Sequence, residues 1–207
     1  MPDRHTATTG SVPPVNLRNG IDVEDPLQVV LDYLESWRFE VGDVSASFAE
    51  ADLRLANRGG ARISAAEIAV ILERRNVIER ALGAIAPQAS LARAASSVPW
   101  RPLTHLFDGF ADIRGVGFSK MTKALHPKRP ALIPMLDSVV QRYLTDDDPG
   151  AQSSFGERAV ALVRGYKRDL DHNRRALRVV RRELAGRGHD LSEVRILDLV
   201  IWWAQAA

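Results

Sequence analysis

The chain contains no cysteine. That excludes disulfides, thiolate zinc sites and an iron–sulfur cluster. No stretch approaches the roughly 18 consecutive apolar residues of a membrane span. The N-terminal residues lack the apolar core of a signal peptide, and a cytoplasmic protein is expected. Period-two alternation of useful length is missing, so little strand is expected and the fold class read from the pattern is all-α. His105 and His126 have no partner at metal-ligand spacing, so no metal and no cofactor are expected. Excess charge is missing too: 28 Lys and Arg face 26 Asp and Glu, a net +2. Total charge therefore makes no case for a nucleic-acid partner, and only its distribution could.

What is present is enough apolar residue for one sizeable core. The 207 residues are 45% hydrophobic and 26% charged, ordinary values for a globular chain that forms one domain or two lobes sharing a core. Residues 1–24, rich in Thr, Pro, Gly and Asn, read as a flexible arm, and residues 25–207 as a helical domain. Asp25 and Pro26 suit a helix start. Val30, Leu31, Leu34 and Trp37 then share one face of a helix running to Phe39. A second helix is expected over 45–57, ended by Asn57-Arg58-Gly59-Gly60. Ser64 and Glu67 form a capping box. A long helix with an apolar stripe from Ile68 to Ile85 should follow, stopped by Pro87. Leu91 to Ala95 reads as a short helix, Ser96 to Pro102 as a loop holding Trp100, and Thr104 to Ala111 as another helix. Asp146-Asp147-Asp148 reads as a solvated acidic turn. One or two helices cover 154–185. A last helix from Ser192, ending in Leu199 to Trp203, should insert into the core.

The charge is segregated. Nine Lys and Arg stand against three acids from Ala161 to Gly188, which is either a solvated helix face or a backbone-binding one. From Ile113 to Leu144, Arg114, Lys120, Lys123, Lys128, Arg129 and Arg142 accompany the single acid Asp137. Gly115-Val116-Gly117 in this segment reads as a tight turn whose glycines permit positive φ and close approach of another molecule. The free N–H groups of the helix that follows would seat one phosphate. Asp137 sits where it would cap the next helix.

These residues resemble the helix-hairpin-helix DNA glycosylase superfamily, which includes endonuclease III and the adenine glycosylases. Ile113 and Gly115-Val116-Gly117 match its hairpin. Asp137 matches its essential aspartate, 18 residues beyond Ser119, and Ser119 stands where bifunctional members carry a lysine. Leu-His-Pro-Lys-Arg-Pro-Ala-Leu-Ile-Pro-Met-Leu-Asp, residues 125–137, is similar to an actinobacterial subset of the superfamily. The likeness is close over roughly 35 residues, in the helix, hairpin, helix, link and helix of 104–144.

The resemblance implies a glycosylase-like helical fold and a duplex DNA partner held through its backbone by Arg114, Gly115, Val116, Gly117, Lys120 and Lys123. It implies that Asp137 stabilises the oxocarbenium-like transition state of N-glycosidic cleavage or activates water. With Ser119 in the lysine position, base release without lyase activity is implied. An extruded base would need a pocket. Trp100 is the aromatic expected there, with Trp37, Phe107 and Phe110 as core residues that could also serve. His126 could touch phosphate. Arg195 and Asp198, three residues apart on the last helix, read as an ion pair. Two other readings stay open: a hairpin that binds DNA without catalysis, and a helical module for a protein partner.

Overall fold

The computed structural model describes residues 12–36 and 42–206. The fold is helical, with one two-stranded ribbon at its N-terminal side. β1 (Val15–Asn16) pairs antiparallel with β2 (Asp22–Val23), Val15 opposite Val23. The flexible arm expected through residue 24 is thus corrected for residues 12–24; residues 1–11 lie outside the described residues. Three apolar side chains, Val15, Leu17 and Val23, are buried there, enough to dock an otherwise polar stretch. Polar bonds fix the register. Asn16 and Asn173 exchange backbone–side-chain bonds of 2.7 and 2.8 Å. The Arg18 guanidinium bonds Asp169 at 2.8 Å, pairs with Asp147 and lies over the Tyr143 ring.

α1 (Pro26–Ser36) starts where expected, with Asp25 accepting from Gln28 N at 3.0 Å. Trp37 and Phe39 lie outside the described residues. α2 (Glu50–Arg58) begins later than the predicted residue 45 because Asp43 holds Ser45 in a local side-chain turn. It ends in a Schellman motif: Ala61 N bonds Ala56 O, Gly60 N bonds Asn57 O, and Gly60 has φ +78°.

The Ser64–Glu67 capping box opens α3 (Ala65–Glu73) as predicted. The long helix expected to Ile85 is broken at Arg74, and α4 (Arg75–Gly83) continues from there. Ile71, Ile78, Leu82 and Ile85 are buried, but Val70 and Val77 are exposed. Ile71, Ile78, Leu82 and Ile85 keep helical spacing through the break, where the Arg74 guanidinium bonds the Ala111 carbonyl. Leu91 to Ala95 forms turns rather than a helix, because Leu91 N pairs with Ala131 O at 2.9 Å instead of with its own chain segment. α5 (Trp100–Asp108) starts earlier than predicted, with Trp100 on its first turn.

α6 (Phe118–Leu125) and α7 (Ser138–Tyr143) follow the turn and the proline-rich link. The acidic turn is no solvated loop: Asp147 pairs with Arg18 and Arg168, and Asp148 binds Arg158 at 2.7 Å. α8 (Phe155–His172) and α9 (Arg174–Gly186) meet at Asn173. α5 packs on α8 and α4, while α10 (Glu193–Ala206) packs on α1, α7 and α9. α10 buries Leu199, Val200 and Ile201, but Trp202 and Trp203 are 42% and 45% exposed. Trp202 leans on the Tyr33 ring of α1 rather than entering the core, so only part of the predicted apolar end is buried. No described helix is long and apolar enough to cross a membrane.

Candidate functional site

The turn between α5 and α6 is closed by Val116 N bonding Ile113 O at 3.0 Å, with Gly115 at φ +83°. A side chain at Gly115 would meet both that backbone conformation and Glu67 Oε1, 2.3 Å from a Cβ built there. Gly117 differs from expectation. Its φ is −95° with extended ψ, which any residue can adopt, and nothing lies near its Cβ position. Ile113 and Val116 are buried and anchor the turn, while Arg114, Gly115 and Gly117 are exposed. No side chain caps α6, so its first N–H groups are open to an acceptor.

The basic segment is more internally committed than its composition predicts. Lys120 Nζ bonds both oxygens of Glu67, at 2.6 and 2.8 Å. Burial opposes ionisation of Glu67, but the Lys120 ammonium and the Ser64 bonds outweigh it and hold the carboxyl below its ordinary range. Lys128 and Arg129 are 1% exposed. Lys128 pairs with Asp52 at 2.8 Å, and Arg129 binds backbone carbonyls. In the later basic stretch, Lys167 is buried on Asp171 and the carbonyls of Leu91 and Arg93. Arg175, Arg178, Arg181 and Arg182 face outward on α9.

Glu67→Gln keeps the capping box, since an amide oxygen can still accept there, but frees the Lys120 charge. Under a DNA-binding reading, the variant should bind a duplex more tightly, with the salt slope steeper by about one phosphate, near 0.9 in log–log units. Fluorescence anisotropy across a salt series reads it; an unchanged slope would show that Lys120 faces no phosphate.

Asp137 opens α7 as predicted, its Oδ1 accepting from Val139 N and Val140 N at 3.0 Å each. The link before it is fixed by Thr122, whose Oγ1 accepts from Leu136 N at 3.0 Å and donates to Phe118 O at 2.8 Å. Oδ2 of Asp137 carries no hydrogen bond among the described residues, and the residue lines a cavity of about 310 Å³. That volume lies near the lower end of the roughly 300–1,000 Å³ of small-ligand sites.

The cavity is assembled from distant parts of the chain: Tyr33 of α1, the α2–α3 turn, Lys123 of α6, His126, and Arg195, Asp198 and Trp202 of α10. Its walls are apolar and aromatic, with Tyr33 and Trp202 edge to face at 5.9 Å between ring centroids. Burial pulls the Lys123 ammonium down, the nearby Asp137 charge supports it, and Arg195 and Arg62 oppose it. Its Nζ bonds Gly60 O at 3.3 Å. Burial, with the Arg195 charge, drives His126 down to about 4. The imidazole is therefore neutral at pH 7, and its Nδ1 donates to Ile133 O at 2.6 Å, leaving Nε2 as an acceptor. A neutral buried ring does not meet phosphate as a cation, which corrects the reading of His126.

Among the described residues no ion pair joins Arg195 to Asp198, which corrects the expectation from their spacing. Arg195 Nη1 contacts the Met135 sulfur at 3.7 Å and its guanidinium lies over the Tyr33 ring. Asp198 Oδ2 accepts from Met135 N at 3.2 Å, while Oδ1 is buried without a partner. Burial pushes the Asp198 carboxyl up to about 7, with Arg195 opposing and Asp137 adding to the rise.

Among the predicted site residues, the structure brings Asp137 and Lys123 together. Gly115, Val116, Gly117, Ser119, Lys120 and Arg114 do not line the cavity. Trp100 does not line it either: its Nε1 bonds Ala95 O at 3.0 Å and Arg164 covers its ring. Phe107 and Phe110 are fully buried core. The residues that the sequence reading missed are Tyr33, Arg58, Asp198 and Trp202. Only the doublet of glycines after Arg58 marked a structured turn beforehand. Among the described residues no group of acidic and histidine side chains could hold a metal.

A family described as "Family of unknown function (DUF6308)" matches residues 42–205. No curated protein and no solved structure matches the chain.

Proposed function

The chain belongs to that family of unknown function, and we propose that it is a helix-hairpin-helix glycosylase-like protein that binds DNA and releases a base by hydrolysis, without lyase chemistry. The observation that carries this reading is Asp137: one oxygen is fixed on the α7 N-terminus, and the residue lines a cavity with Lys123, Arg195 and two aromatic rings. A fixed carboxylate with an unbonded oxygen in a partly dry pocket suits the stabilisation of positive charge on a sugar carbon. Tyr33 and Trp202 offer stacking faces to an extruded base. The open N-terminus of α6, with exposed Arg114, and the exposed Arg62 on the α2–α3 turn supply contacts for the backbone on either side.

Binding without catalysis finds less support, because a backbone binder gains nothing from a carboxylate that lines a cavity. The test is alkali-dependent strand cleavage. The protein is incubated with duplex oligonucleotides each holding one uracil, hypoxanthine, 8-oxoguanine, alkylated adenine, or adenine opposite 8-oxoguanine. Nicks that appear only after hot alkali are expected for at least one of them. Silence across the panel sinks the reading. Nicks without alkali, trapped by borohydride, would instead assign an amine role to Lys123.

A further inference from the structure

Two carboxyl groups line the cavity, and they are held in opposite ways. Asp137 is half-buried at a helix N-terminus, where two N–H groups stabilise its charge. Asp198 is 3% exposed on α10. A single N–H, from Met135, reaches its Oδ2, and Oδ1 has no partner. A buried carboxyl oxygen without a donor is costly as a carboxylate and cheap as a carboxylic acid, which can carry its own proton there. The groups facing it are Arg195 on its own helix, Asp137 from α7, His126 and Lys123 from the α6 side, and Tyr166 from α8. Tyr166 donates its hydroxyl hydrogen to Val194 O at 2.5 Å, and His126 is neutral, its Nδ1–H donated to Ile133 O. Neither has a proton to hand to a ligand, and Arg195 does not release one.

We propose that Asp198 is the proton donor of this site, protonating the departing base while Asp137 faces the sugar. The inference rests on the base-release reading. In the step, the C1′–N bond breaks and its electron pair goes to the base nitrogen. The Asp198 proton is transferred to the base. Water adds its hydroxyl to C1′, and its remaining proton returns to the Asp198 carboxylate. The ligand class follows. Asp198 matters for neutral bases, which leave poorly as anions. It is dispensable for a base that already carries positive charge, such as 7-methylguanine.

The experiment compares the full chain and Asp198→Asn in single-turnover base release from duplexes holding hypoxanthine or 7-methylguanine, between pH 5 and 9. For the wild type on hypoxanthine, the rate should fall tenfold per pH unit above about 7. Asp198→Asn should lose at least about 10²-fold on hypoxanthine, lose that pH limb, and release 7-methylguanine within a few-fold of wild type. Equal loss on both bases, or no loss, overturns the proposal. If the alkali panel shows release of a neutral base other than hypoxanthine, that base takes hypoxanthine's place in the comparison; a wild type that releases no base of the panel removes the reading it rests on, and the proposal with it.

A second readout needs no activity. A carboxyl raised by folding stabilises the protein below its unfolded value and loses that contribution as pH rises to its folded value. The melting temperature of Asp198→Asn should therefore rise relative to that of wild type between pH 4 and about 7, after which the difference stays constant. Parallel melting curves over that window would show an ionised Asp198 and would overturn the proposal independently.

Discussion

Replacing Arg129 by methionine is expected to lower the thermal unfolding midpoint by roughly 8–16 °C, although the residue is charged and methionine is apolar. Arg129 is 1% exposed. Its Nε and Nη2 bond Ile85 O at 3.1 and 2.8 Å, Nη2 also bonds Leu82 O at 2.9 Å, and Nη1 bonds Val44 O and Lys128 O at 2.6 Å each. The guanidinium thus closes the C-terminal end of α4 and ties it to the link that leads to Asp137 and to the segment before α2. Burying a cation is unfavourable, but the carbonyls at a helix end carry partial negative charge, and Ile85 O, Val44 O and Lys128 O take no backbone N–H among the described residues. Methionine fills much of the space and leaves those acceptors dry and unbonded. With about 1–3 kcal/mol for each orphaned group, a loss near 4 kcal/mol is a large part of the roughly 5–15 kcal/mol that holds a domain folded. Lysine should rescue little, because a single ammonium cannot span four carbonyls as a planar fork does. Circular dichroism melts of Arg129→Met and Arg129→Lys read the effect. A midpoint within about 3 °C of wild type for either would show that water replaces the guanidinium at those carbonyls.

The same residue marks where sequence reading stops. Signals carried by neighbouring residues were legible: the Ser64–Glu67 box, the Asp137 cap, the glycine-terminated end of α2 and the positive φ at Gly115 are all decided within a few residues. What was illegible depends on contacts across the chain. Arg129 and Lys128 belong to types that usually stay solvated, and nothing local marks them as buried. Glu67 and Lys120 are separated by 53 residues and meet only once the fold exists. Val15 and Val23 sit in a polar stretch with too few apolar residues to show a period, so their docking depends on α8 and α9 offering Asp169 and Asn173 to Arg18 and Asn16.

The candidate site divides in the same way. Asp137 and Lys123 were legible because they lie in one segment. Tyr33, Asp198 and Trp202 come from opposite ends of the chain, and their approach to Asp137 is a tertiary fact. Pattern also misled where it was strongest: the apolar end of α10 looks like core, yet Trp202 and Trp203 stay partly exposed, Trp202 beside Tyr33 at the cavity. Charge was overread as well. Six basic residues between Ile113 and Leu144 suggested a broad DNA-binding rim. Lys120, Lys128 and Arg129 hold other parts of the protein, Lys123 lines the cavity, and Arg114 and Arg142 remain exposed. The structure moves the weight of the functional argument from the rim to the cavity.

That shift makes Asp137→Asn the most informative single substitution. It is expected to reduce base release by about 10³-fold, the upper range for removing one group aimed at developing charge. The fold should not change, and the reason is structural. Asp137 has two separable roles: Oδ1 accepts from Val139 N and Val140 N, and the negative charge faces the cavity. Asparagine is as good a helix cap as aspartate, so its amide oxygen keeps both bonds while the charge disappears. Asp137→Ala removes both roles and should add about 1 kcal/mol of destabilisation. The two variants therefore separate chemistry from folding. Equal loss of activity with unequal stability is expected, together with duplex affinity within a few-fold of wild type for both. DNA binding is measured on an uncleaved duplex by anisotropy, and release at saturating protein by the alkali assay. Full activity in Asp137→Asn would reduce Asp137 to a cap. Loss of activity in proportion to loss of stability would say the same, because a purely structural residue can affect the rate only through the folded fraction.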